Sequence, residues 1–333
     1  ESGGSATELF DERRDYTEDE LLRIYYRLAL EFEPGGKFSY SNTGYALLGF
    51  LVHRVSGQFY GDVLRDRVFR PLGMKTARVI SEADIVPNRA AGYQLVDGAV
   101  KNQDWVAPSI NTTADGALYL SLGDYAAWDR GLRAQAILTP RSWAEIYRPV
   151  RLNSGKTYPY GFGWEVDESR GQPWYHHSGS WQGFRIYISR YLADDLTLVV
   201  LTNLADASPA RFIDGVAAII DPRLAQVVPS RPIPDREPAV AEHVRRLLGE
   251  IAADEPLGDA WLHVERGQLD QIRDYSSLLR PLGQLDRLEL LDRRAMGDEL
   301  SSTYAAHYAA QTLRVDISLA PDGRCSELEI QAE

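Results

Sequence analysis

Four segments rich in aromatic and β-branched residues follow one another between residues 160 and 204, and they constrain the fold more than any other feature of the sequence. They read YGFGWEVDES, PWYHHSGS, GFRIYISRYL and LTLVVLTNL, and short turn-forming stretches separate them. Such runs favour strands, and connections this short favour hairpins between neighbours. We therefore expect an antiparallel sheet with Asp194-Asp195 in its last hairpin, followed by an amphipathic helix over residues 209–220.

Helical spacing dominates the part of the chain before these strands. Apolar residues recur there at intervals of three and four, and Thr17 with Glu20 has the pattern of a capping box. Val96-Asp97-Gly98-Ala99 is typical of a tight β-hairpin. The predicted helices cover residues 17–30, 44–56, 60–70, 121–135 and 139–147.

Composition excludes several classes of function. The chain has 333 residues, 44% of them hydrophobic, and its formal net charge of −12 argues against a nucleic-acid-binding surface. Cys325 is the single cysteine, which excludes a disulfide framework and a zinc cluster, and we expect no metal and no cofactor. No apolar run reaches the length of about 18 residues that a membrane-spanning helix requires.

A proline-rich stretch predicts a division of the chain. PSRPIPDREP, at residues 229–238, has the composition of a stiff, exposed linker. We therefore expect a first domain over residues 1–225, a linker over 226–238 and a small α+β accessory domain over 239–333. Within the accessory domain, helices are predicted at 239–253 and 266–275 and an antiparallel sheet at 285–331.

Tyr40-Ser41-Asn42 stands directly before the helix predicted at residues 44–56 and permits two interpretations. Ser41 and Asn42 are good N-cap residues, so the local sequence favours an ordinary helix cap. The alternative is that Tyr40 and Asn42 belong to an active site. A tyrosine acts as a general base only where nearby positive charge lowers its pKa.

His177-Ser178-Gly179-Ser180 lies at the end of the second predicted strand. Glycine at a strand edge lets another group approach the backbone closely. A peptide N–H in such a place is suited to stabilise the oxyanion of an acyl-transfer intermediate. The alternative is a polar turn without a catalytic role.

Together these segments resemble the class C-like branch of the penicillin-recognising serine hydrolases, which include β-lactamases, D-alanyl-D-alanine carboxypeptidases and related esterases. The shared order is Tyr-x-Asn, then (Lys/His)-(Ser/Thr)-Gly before a strand pair, and the resemblance covers about residues 1–222. Further matching segments are Glu33-Pro34-Gly35, Phe69-Arg70-Pro71-Leu72-Gly73-Met74 and Tyr160-Gly161-Phe162-Gly163-Trp164.

The resemblance implies the fold class. It predicts an α+β protein of the β-lactamase/transpeptidase-like fold, in which an antiparallel sheet with flanking helices adjoins a helical subdomain. The N-terminal part of that fold is expected to be missing, and a small α+β accessory domain is expected to follow.

The resemblance also implies roles for particular residues. Tyr40 would activate the nucleophile and relay its proton to the leaving group, and Asn42 would bind the acyl-side amide of the substrate. His177 stands where β-lactamases place lysine, and relatives with histidine there are often esterases or peptidases. Ser178 and Gly179 would contact the substrate or its leaving group, and the backbone N–H of Ser180 would supply half of an oxyanion hole.

The nucleophile of this family, the serine of Ser-x-x-Lys, has no counterpart in the sequence. The residues three before Lys37, Lys75, Lys101 and Lys156 are Pro34, Leu72, Gly98 and Asn153. Three explanations stay open. The N-terminal part with this motif lies outside the chain, a separate chain supplies it, or the homologue has lost its chemistry. We expect the chain alone to be inactive.

The function implied is that of a serine hydrolase acting through an acyl-enzyme on esters, D-amino-acid peptides or amides, or β-lactams. Because histidine replaces lysine at position 177, we expect an esterase or peptidase rather than an efficient β-lactamase. The rival hypothesis is a catalytically inactive homologue that acts as a binding or regulatory module. Expected partners are a small-molecule substrate, the missing N-terminal segment as a separate chain, or further copies of this chain. The sequence leaves a periplasmic, secreted or cytoplasmic bacterial location open.

Overall fold

Helices make up most of the regular secondary structure described before residue 150. The computed structural model describes residues 11–79, 84–225, 229–255, 261 and 275–332. The first five helices are Glu18–Tyr25 (α1), Asn42–Ser56 (α2), Tyr60–Leu64 (α3), Leu122–Arg133 (α4) and Pro140–Ile146 (α5). The third continues through a π-helical turn at Arg65–Phe69 and a last turn at Arg70–Leu72, so the helix predicted at 60–70 is present in three pieces.

The first helix has the predicted cap but ends before the predicted boundary. Thr17 accepts the backbone N–H of Glu20, and the Glu20 carboxylate accepts the backbone N–H of Thr17 at 2.8 Å. Leu21 and Tyr25 are buried, whereas Leu30 is 81% exposed. Beyond Tyr25 the chain continues in i→i+3 turns instead of α-helix, while Leu28 still packs on the apolar cluster that contains Leu21.

Three short two-stranded sheets connect the helices. The hairpin predicted at residues 96–99 is confirmed, and Asp97 and Gly98 take the positive φ angles of 51° and 74° that a tight hairpin turn requires. The strands are Arg78–Val79 (β1), Tyr93–Val96 (β2), Ala99–Asn102 (β3), Leu118–Tyr119 (β4), Val150–Arg151 (β5) and Thr157–Tyr158 (β6), and the pairs are β1 with β4, β2 with β3 and β5 with β6.

The predicted antiparallel sheet is confirmed, with its strands paired in the order β10-β9-β8-β7. Gln182 and Gly183, with φ angles of 49° and 78°, form the tight turn between the two longest neighbours. Asp195 closes the last hairpin with φ 50°, as the sequence indicated. The strands are Glu165–Ser169 (β7), Gln172–Trp181 (β8), Phe184–Tyr191 (β9) and Leu196–Thr202 (β10).

Helices pack on both faces of this sheet. The helix predicted at 209–220 is Pro209–Ile220 (α6), and its Ala217 packs against Tyr191 of β9 on one face. On the opposite face, Trp143 of α5 and Leu132 of α4 pack against Ile188 of β9. The arrangement is the expected α+β architecture, with a sheet between helical layers.

The C-terminal part has its own core. A helix at Pro238–Ala252 (α7) packs its buried leucines and valine on the sheet formed by the last four strands. The predicted helix at 266–275 lies mostly outside the described residues. The strands are Leu285–Met296 (β11), Glu299–Tyr308 (β12), Thr312–Leu319 (β13) and Cys325–Ala332 (β14), paired in chain order.

Contacts from the proline-rich stretch, from the β5–β6 hairpin and from Asp167 of β7, which pairs with Arg294, join this C-terminal sheet to the preceding chain. In the proline-rich stretch, the N–H of Ile233 donates to the carbonyl of Leu290, and Asp235 pairs with Arg293. At the β11–β12 turn, the N–H of Gly297 donates to the carbonyl of Thr157 at 3.1 Å. The proline-rich stretch is thus exposed but attached to β11. The division into two domains stays a prediction.

The described residues contain neither a membrane-spanning helix nor a metal-binding cluster. Within those ranges, no helix has the length and apolar character needed to cross a bilayer. The same ranges contain no cluster of three or more His, Cys, Asp or Glu side chains arranged to hold a metal ion.

Candidate active site

A turn and an aromatic stack position the segment that precedes α2. Gly35 makes the turn with φ 78°, and its carbonyl accepts the N–H of Asn153 at 2.8 Å. Phe38 stacks on Tyr158 of β6 with ring centroids 4.0 Å apart. The chain therefore runs along the β5–β6 hairpin before it enters α2, and this path fixes the place of Tyr40.

Ser41 provides the cap of α2, and the side chains on either side of it line a cavity. Ser41 Oγ accepts the backbone N–H of Gly44 at 2.9 Å. Tyr40, which is 46% exposed, and Asn42 both contribute to the cavity wall. The two interpretations of this motif thus apply to different residues, since Ser41 is the cap and its two neighbours are available to a ligand.

The second predicted motif lies on β8, opposite β9. The imidazole of His177 lies 6.0 Å from the Tyr40 ring, centroid to centroid. Gly179 pairs with Ile186, and a Cβ atom at Gly179 would lie 2.7 Å from Ile186 Cγ1. A larger residue at this position would therefore have to displace the side chain of Ile186.

Tyr160 contacts the side chains of two predicted site residues, His177 and Tyr40. Its hydroxyl lies 2.8 Å from Nε2 of His177, and its ring lies edge-on to Tyr40 with centroids 6.1 Å apart. Burial raises the pKa of the Tyr160 hydroxyl, and Tyr40, Tyr45 and Glu165 raise it further. Tyr160 therefore stays neutral and serves only as a hydrogen-bonding group.

A cavity of about 680 Å³ joins the two motifs. Its volume falls in the range of small-molecule binding sites. It brings together all of the site residues predicted from the sequence, namely Tyr40, Asn42, His177, Ser178, Gly179 and Ser180. Its apolar lining includes Ile110, Leu118, Tyr119, Leu120, Trp181, Phe184 and Ile186.

The charge of this cavity is sparse and negative. Among its described lining residues, Asp115 is the one carboxylate, and none is lysine or arginine. Lys37 lies over the ring of Phe32, and Lys156 pairs with Asp298. In the described part of the chain, the cavity therefore offers no cation to a substrate carboxylate.

Sequence reasoning missed several residues of the site. Asn111 is fully buried and accepts the indole N–H of Trp181 at 2.6 Å, which ties the end of β8 to the segment that carries Asp115. Nothing in the local sequence indicates this bond. Tyr160 belongs to a segment that carried the family resemblance, but its bond to His177 was not predicted.

The assembled groups suit part of an acyl-transfer reaction. A tyrosine hydroxyl and an imidazole can hold or move protons, and backbone amides along β8 can face an oxyanion. In the described residues, no lysine lines the cavity to activate a serine in the manner of Ser-x-x-Lys. The site therefore contains acid–base and positioning groups without that nucleophile pair.

Two curated relatives share this part of the chain. The chain is 30% identical over 185 residues to penicillin-binding protein 4* of Bacillus subtilis (strain 168), and the aligned region covers 52% of the chain and 41% of the relative. It is 27% identical over 194 residues to a D-aminopeptidase of Gluconobacter oxydans (strain 621H), covering 57% of the chain and 36% of the relative. The chain thus spans less than half the length of these relatives.

A solved structure agrees in fold. The penicillin-binding protein from Bacillus halodurans superposes with a TM-score of 0.55 at 22% identity, over 62% of this chain and 64% of that one. The beta-lactamase family matches residues 2–220, which is well over half of the chain. The family match and the shared fold confirm the resemblance drawn from Tyr-x-Asn and His-Ser-Gly, and the chain belongs to the beta-lactamase family.

Proposed function

We propose that this chain supplies the acid–base and substrate-binding groups of a serine hydrolase that cleaves amides or peptides, or esters, through an acyl-enzyme. The relatives named D-aminopeptidase and penicillin-binding protein agree with hydrolysis of amide or peptide bonds. The nucleophilic serine of Ser-x-x-Lys comes from polypeptide outside the 333 residues.

One observation carries the proposal: a single cavity collects both predicted motifs. Tyr40 and His177 lie far apart in the sequence, yet their rings are 6.0 Å apart beside the glycine-containing edge of β8. A structural role for each motif alone does not require their convergence. Convergence of titratable groups in a cavity of ligand size is typical of an active site.

The proposed reaction proceeds in two steps. Tyr40 accepts the hydroxyl proton of the serine as the serine oxygen attacks the substrate carbonyl, with the lysine of the same Ser-x-x-Lys segment supplying the positive charge that a tyrosine base requires. Tyr40 then passes that proton to the leaving amine or alcohol. The backbone N–H of Ser180 stabilises the oxyanion, while Asn42 and Ser178 hold the substrate. Water later attacks the acyl-enzyme by the same route in reverse, which releases the acid and restores the serine.

The charges of the cavity support amide and ester substrates over β-lactams. β-Lactam antibiotics present a carboxylate, for which the described lining offers no lysine or arginine. Asp115 complements a protonated amine, which is the group at the free N-terminus of a peptide. We therefore propose substrates with a free amino group next to the scissile bond.

The edge of the sheet and the neighbouring helix form an exposed surface on which an additional polypeptide segment could pack. In the described part of the chain, β10 forms one edge of the sheet. Phe212, Val216 and Ile219 share a face of α6 and are 61%, 42% and 83% exposed. An open strand edge beside an apolar helix face is suited to receive another strand and helix. We assign the segment that carries Ser-x-x-Lys to this surface.

Covalent labelling tests the proposed nucleophile. The longest native form of the protein and the 333-residue chain are each treated with a fluorophosphonate, and intact masses are recorded. We expect one adduct on the Ser-x-x-Lys serine of the native form and none on the shorter chain. An adduct on a serine within residues 1–333 would contradict the proposed origin of the nucleophile.

A substrate panel tests the proposed specificity. The native form is assayed with a D-amino-acid anilide, its N-acetylated counterpart, a short-chain ester and a chromogenic cephalosporin. We expect the free-amine anilide or the ester to give the highest kcat/KM. A cephalosporin value far above both would overturn the ranking.

The absence of the nucleophile motif from this sequence favours one rival, a binding or regulatory module. That rival predicts ligand binding without turnover and no covalent adduct on any form of the protein. A fluorophosphonate adduct on the native form eliminates it. If no adduct forms and the native form still binds the anilide, the binding or regulatory module becomes the supported function.

A further inference from the structure

Both ring nitrogens of His177 are engaged within the protein. Nδ1 contacts the backbone carbonyl of Ser178, and Nε2 contacts the hydroxyl of Tyr160 at 2.8 Å. A carbonyl oxygen can only accept a hydrogen bond, so Nδ1 carries the proton. In the neutral imidazole, Nε2 is then an acceptor, and the hydroxyl of Tyr160 donates to it.

We propose that Tyr160 is a positioning residue of this site, which holds neutral His177 in the Nδ1–H tautomer and couples the protonation of His177 to the hydrogen bonding of Tyr40. The effect of Tyr160 on catalysis rests on the proposed function. The tautomer itself follows from the geometry alone.

Tyr160 is suited to this role because it is buried and fixed on several sides. Its side chain packs at 5.0 Å from Phe38, centroid to centroid, and its carbonyl accepts the N–H of Val150 at 2.9 Å. The next residue, Gly161, lies so close to the carbonyl of Ile146 that a Cβ atom there would lie 2.2 Å from that oxygen. A group held in this way keeps its partner oriented without moving itself.

Protonation of His177 reverses the direction of this hydrogen bond. When Nε2 gains a proton, its N–H donates to the Tyr160 oxygen, and the hydroxyl proton of Tyr160 turns to another acceptor. Tyr40 is the adjacent ring, edge-on at 6.1 Å. No proton leaves Tyr160 in this change. The protonation state of His177 therefore decides whether the Tyr160 hydroxyl donates to His177 or turns to another acceptor.

In the described residues, few other titratable groups face Tyr160 and His177. Tyr40 and Tyr45 approach from the side of α2, and Glu165 approaches from β7. The Glu165 carboxylate also lies 3.4 Å from Nδ1 of His176, on the neighbouring position of β8. Tyr160 is the group in direct hydrogen-bond contact with Nε2 of His177, so its removal is expected to affect that ring most.

Nitrogen NMR of the histidine rings tests the tautomer on the 333-residue chain. The chain is labelled with ¹⁵N-histidine, long-range ¹H–¹⁵N spectra are recorded across the pH range, and His177→Gln assigns the His177 signals. We expect the Nδ1–H pattern for neutral His177 in the wild type. An Nε2–H pattern overturns the proposal, and the wild-type spectrum alone decides this point.

Two variants test the role of the hydroxyl. Tyr160→Phe removes only that oxygen, and we expect a mixture of tautomers and a shifted titration midpoint for His177. Tyr158→Phe is the matched control, because Tyr158 packs on Phe38 at 4.0 Å from the other side, and we expect no change in His177. An unchanged His177 spectrum in Tyr160→Phe overturns the proposal.

The catalytic meaning is tested on the native form of the protein. We expect Tyr160→Phe to lower kcat more than it raises KM and to displace the pH profile of kcat/KM in the direction of the His177 titration. An unchanged profile overturns the coupling to Tyr40. If the native form has no activity while the tautomer result holds, the proposed function fails and the positioning by Tyr160 stands.

Discussion

Tyr40 is the residue on which the proposed chemistry depends most directly. Its ring lines the cavity, while the neighbouring Ser41 performs the local task of capping α2. The Tyr40→Phe substitution keeps the ring and removes the group that would carry the proton. We expect kcat of the native form to fall by about 10²–10⁴, the range for loss of one acid–base group, with little change in thermal unfolding.

The matched control for this variant is Tyr26→Phe, because Tyr26 is 79% exposed and lies outside the cavity lining. It is expected to retain full activity. Equal activity of Tyr40→Phe and wild type would leave Tyr40 with a structural role only.

Asp115 is the residue that would distinguish amine-bearing substrates. We expect Asp115→Asn to reduce the preference for a free-amine anilide over its N-acetylated form by up to about fivefold, since exposed ion pairs contribute about 1 kcal/mol or less. The measurement is the ratio of the two kcat/KM values. Asp104→Asn is the control, because Asp104 pairs with Arg13 outside the cavity lining. A preference that survives in Asp115→Asn would assign amine recognition to another group.

At the scale of elements, a buried ionic contact attaches α4 to the main sheet. Asp129 of α4 accepts hydrogen bonds from Thr197 of β10 at 2.8 Å and from the buried Arg190 of β9 at 3.1 Å. Burial by itself would raise the pKa of Asp129, but hydrogen bonds from Arg133 and Thr197 and the charge of Arg190 outweigh it and hold the pKa below its usual value. This contact orients the helical layer that packs beneath the cavity.

Removing this carboxylate is expected to destabilise the fold in a pH-dependent way. Asp129→Asn leaves Arg190 without its anionic partner, and we expect a loss on the order of 3 kcal/mol at about pH 7 in denaturant unfolding. Because the folded pKa lies below the unfolded one, the carboxylate stabilises the fold above the unfolded pKa, and this contribution disappears as the pH falls through the folded value. The difference between variant and wild type should therefore shrink below about pH 4.

A surface acid provides the comparison. Asp66 pairs with Arg65 and Arg70 at exposed positions, so Asp66→Asn is expected to change the stability very little. Similar losses for Asp66→Asn and Asp129→Asn would mean that the contact between α4 and the sheet has no special role.

At the scale of the whole molecule, the C-terminal sheet meets the candidate site through the β5–β6 hairpin. Gly297 donates to the carbonyl of Thr157, and the adjacent Tyr158 stacks on Phe38, two residues before Tyr40. The accessory part therefore lies against the hairpin that positions the Tyr-x-Asn segment. Substrate gating, self-association and simple stabilisation by this part all stay predictions.

Limited proteolysis tests the predicted division. We expect a non-specific protease to cut within residues 229–238, where most side chains are exposed, and the 239–333 product to stay soluble and folded by circular dichroism. The separate apolar core of that region supports this outcome. The bonds from Ile233 and Asp235 to β11 are expected to slow the cut. An unfolded product with aggregation of the remainder would place the two parts in one cooperative unit.

The parts of this structure that the sequence determined by itself are those set by residues adjacent in the chain. The Asp97-Gly98 turn, the Thr17–Glu20 capping box, the four strands after residue 160 and the helix Pro209–Ile220 all agree with their sequence patterns. Turn and cap chemistry acts over a few residues, and alternation along a strand is visible in its own sequence. The two candidate motifs were also recognisable, because each is contiguous.

Tertiary structure alone decided which distant groups meet. The bond of Tyr160 to His177 spans 17 residues, that of Arg190 to Asp129 spans 61, and that of Trp181 to Asn111 spans 70. Only the structure likewise shows that α1 ends at Tyr25, since Leu28 beyond it still packs on the same core cluster. Such contacts depend on how helices and sheet pack in three dimensions, and no local pattern in a single sequence records that packing.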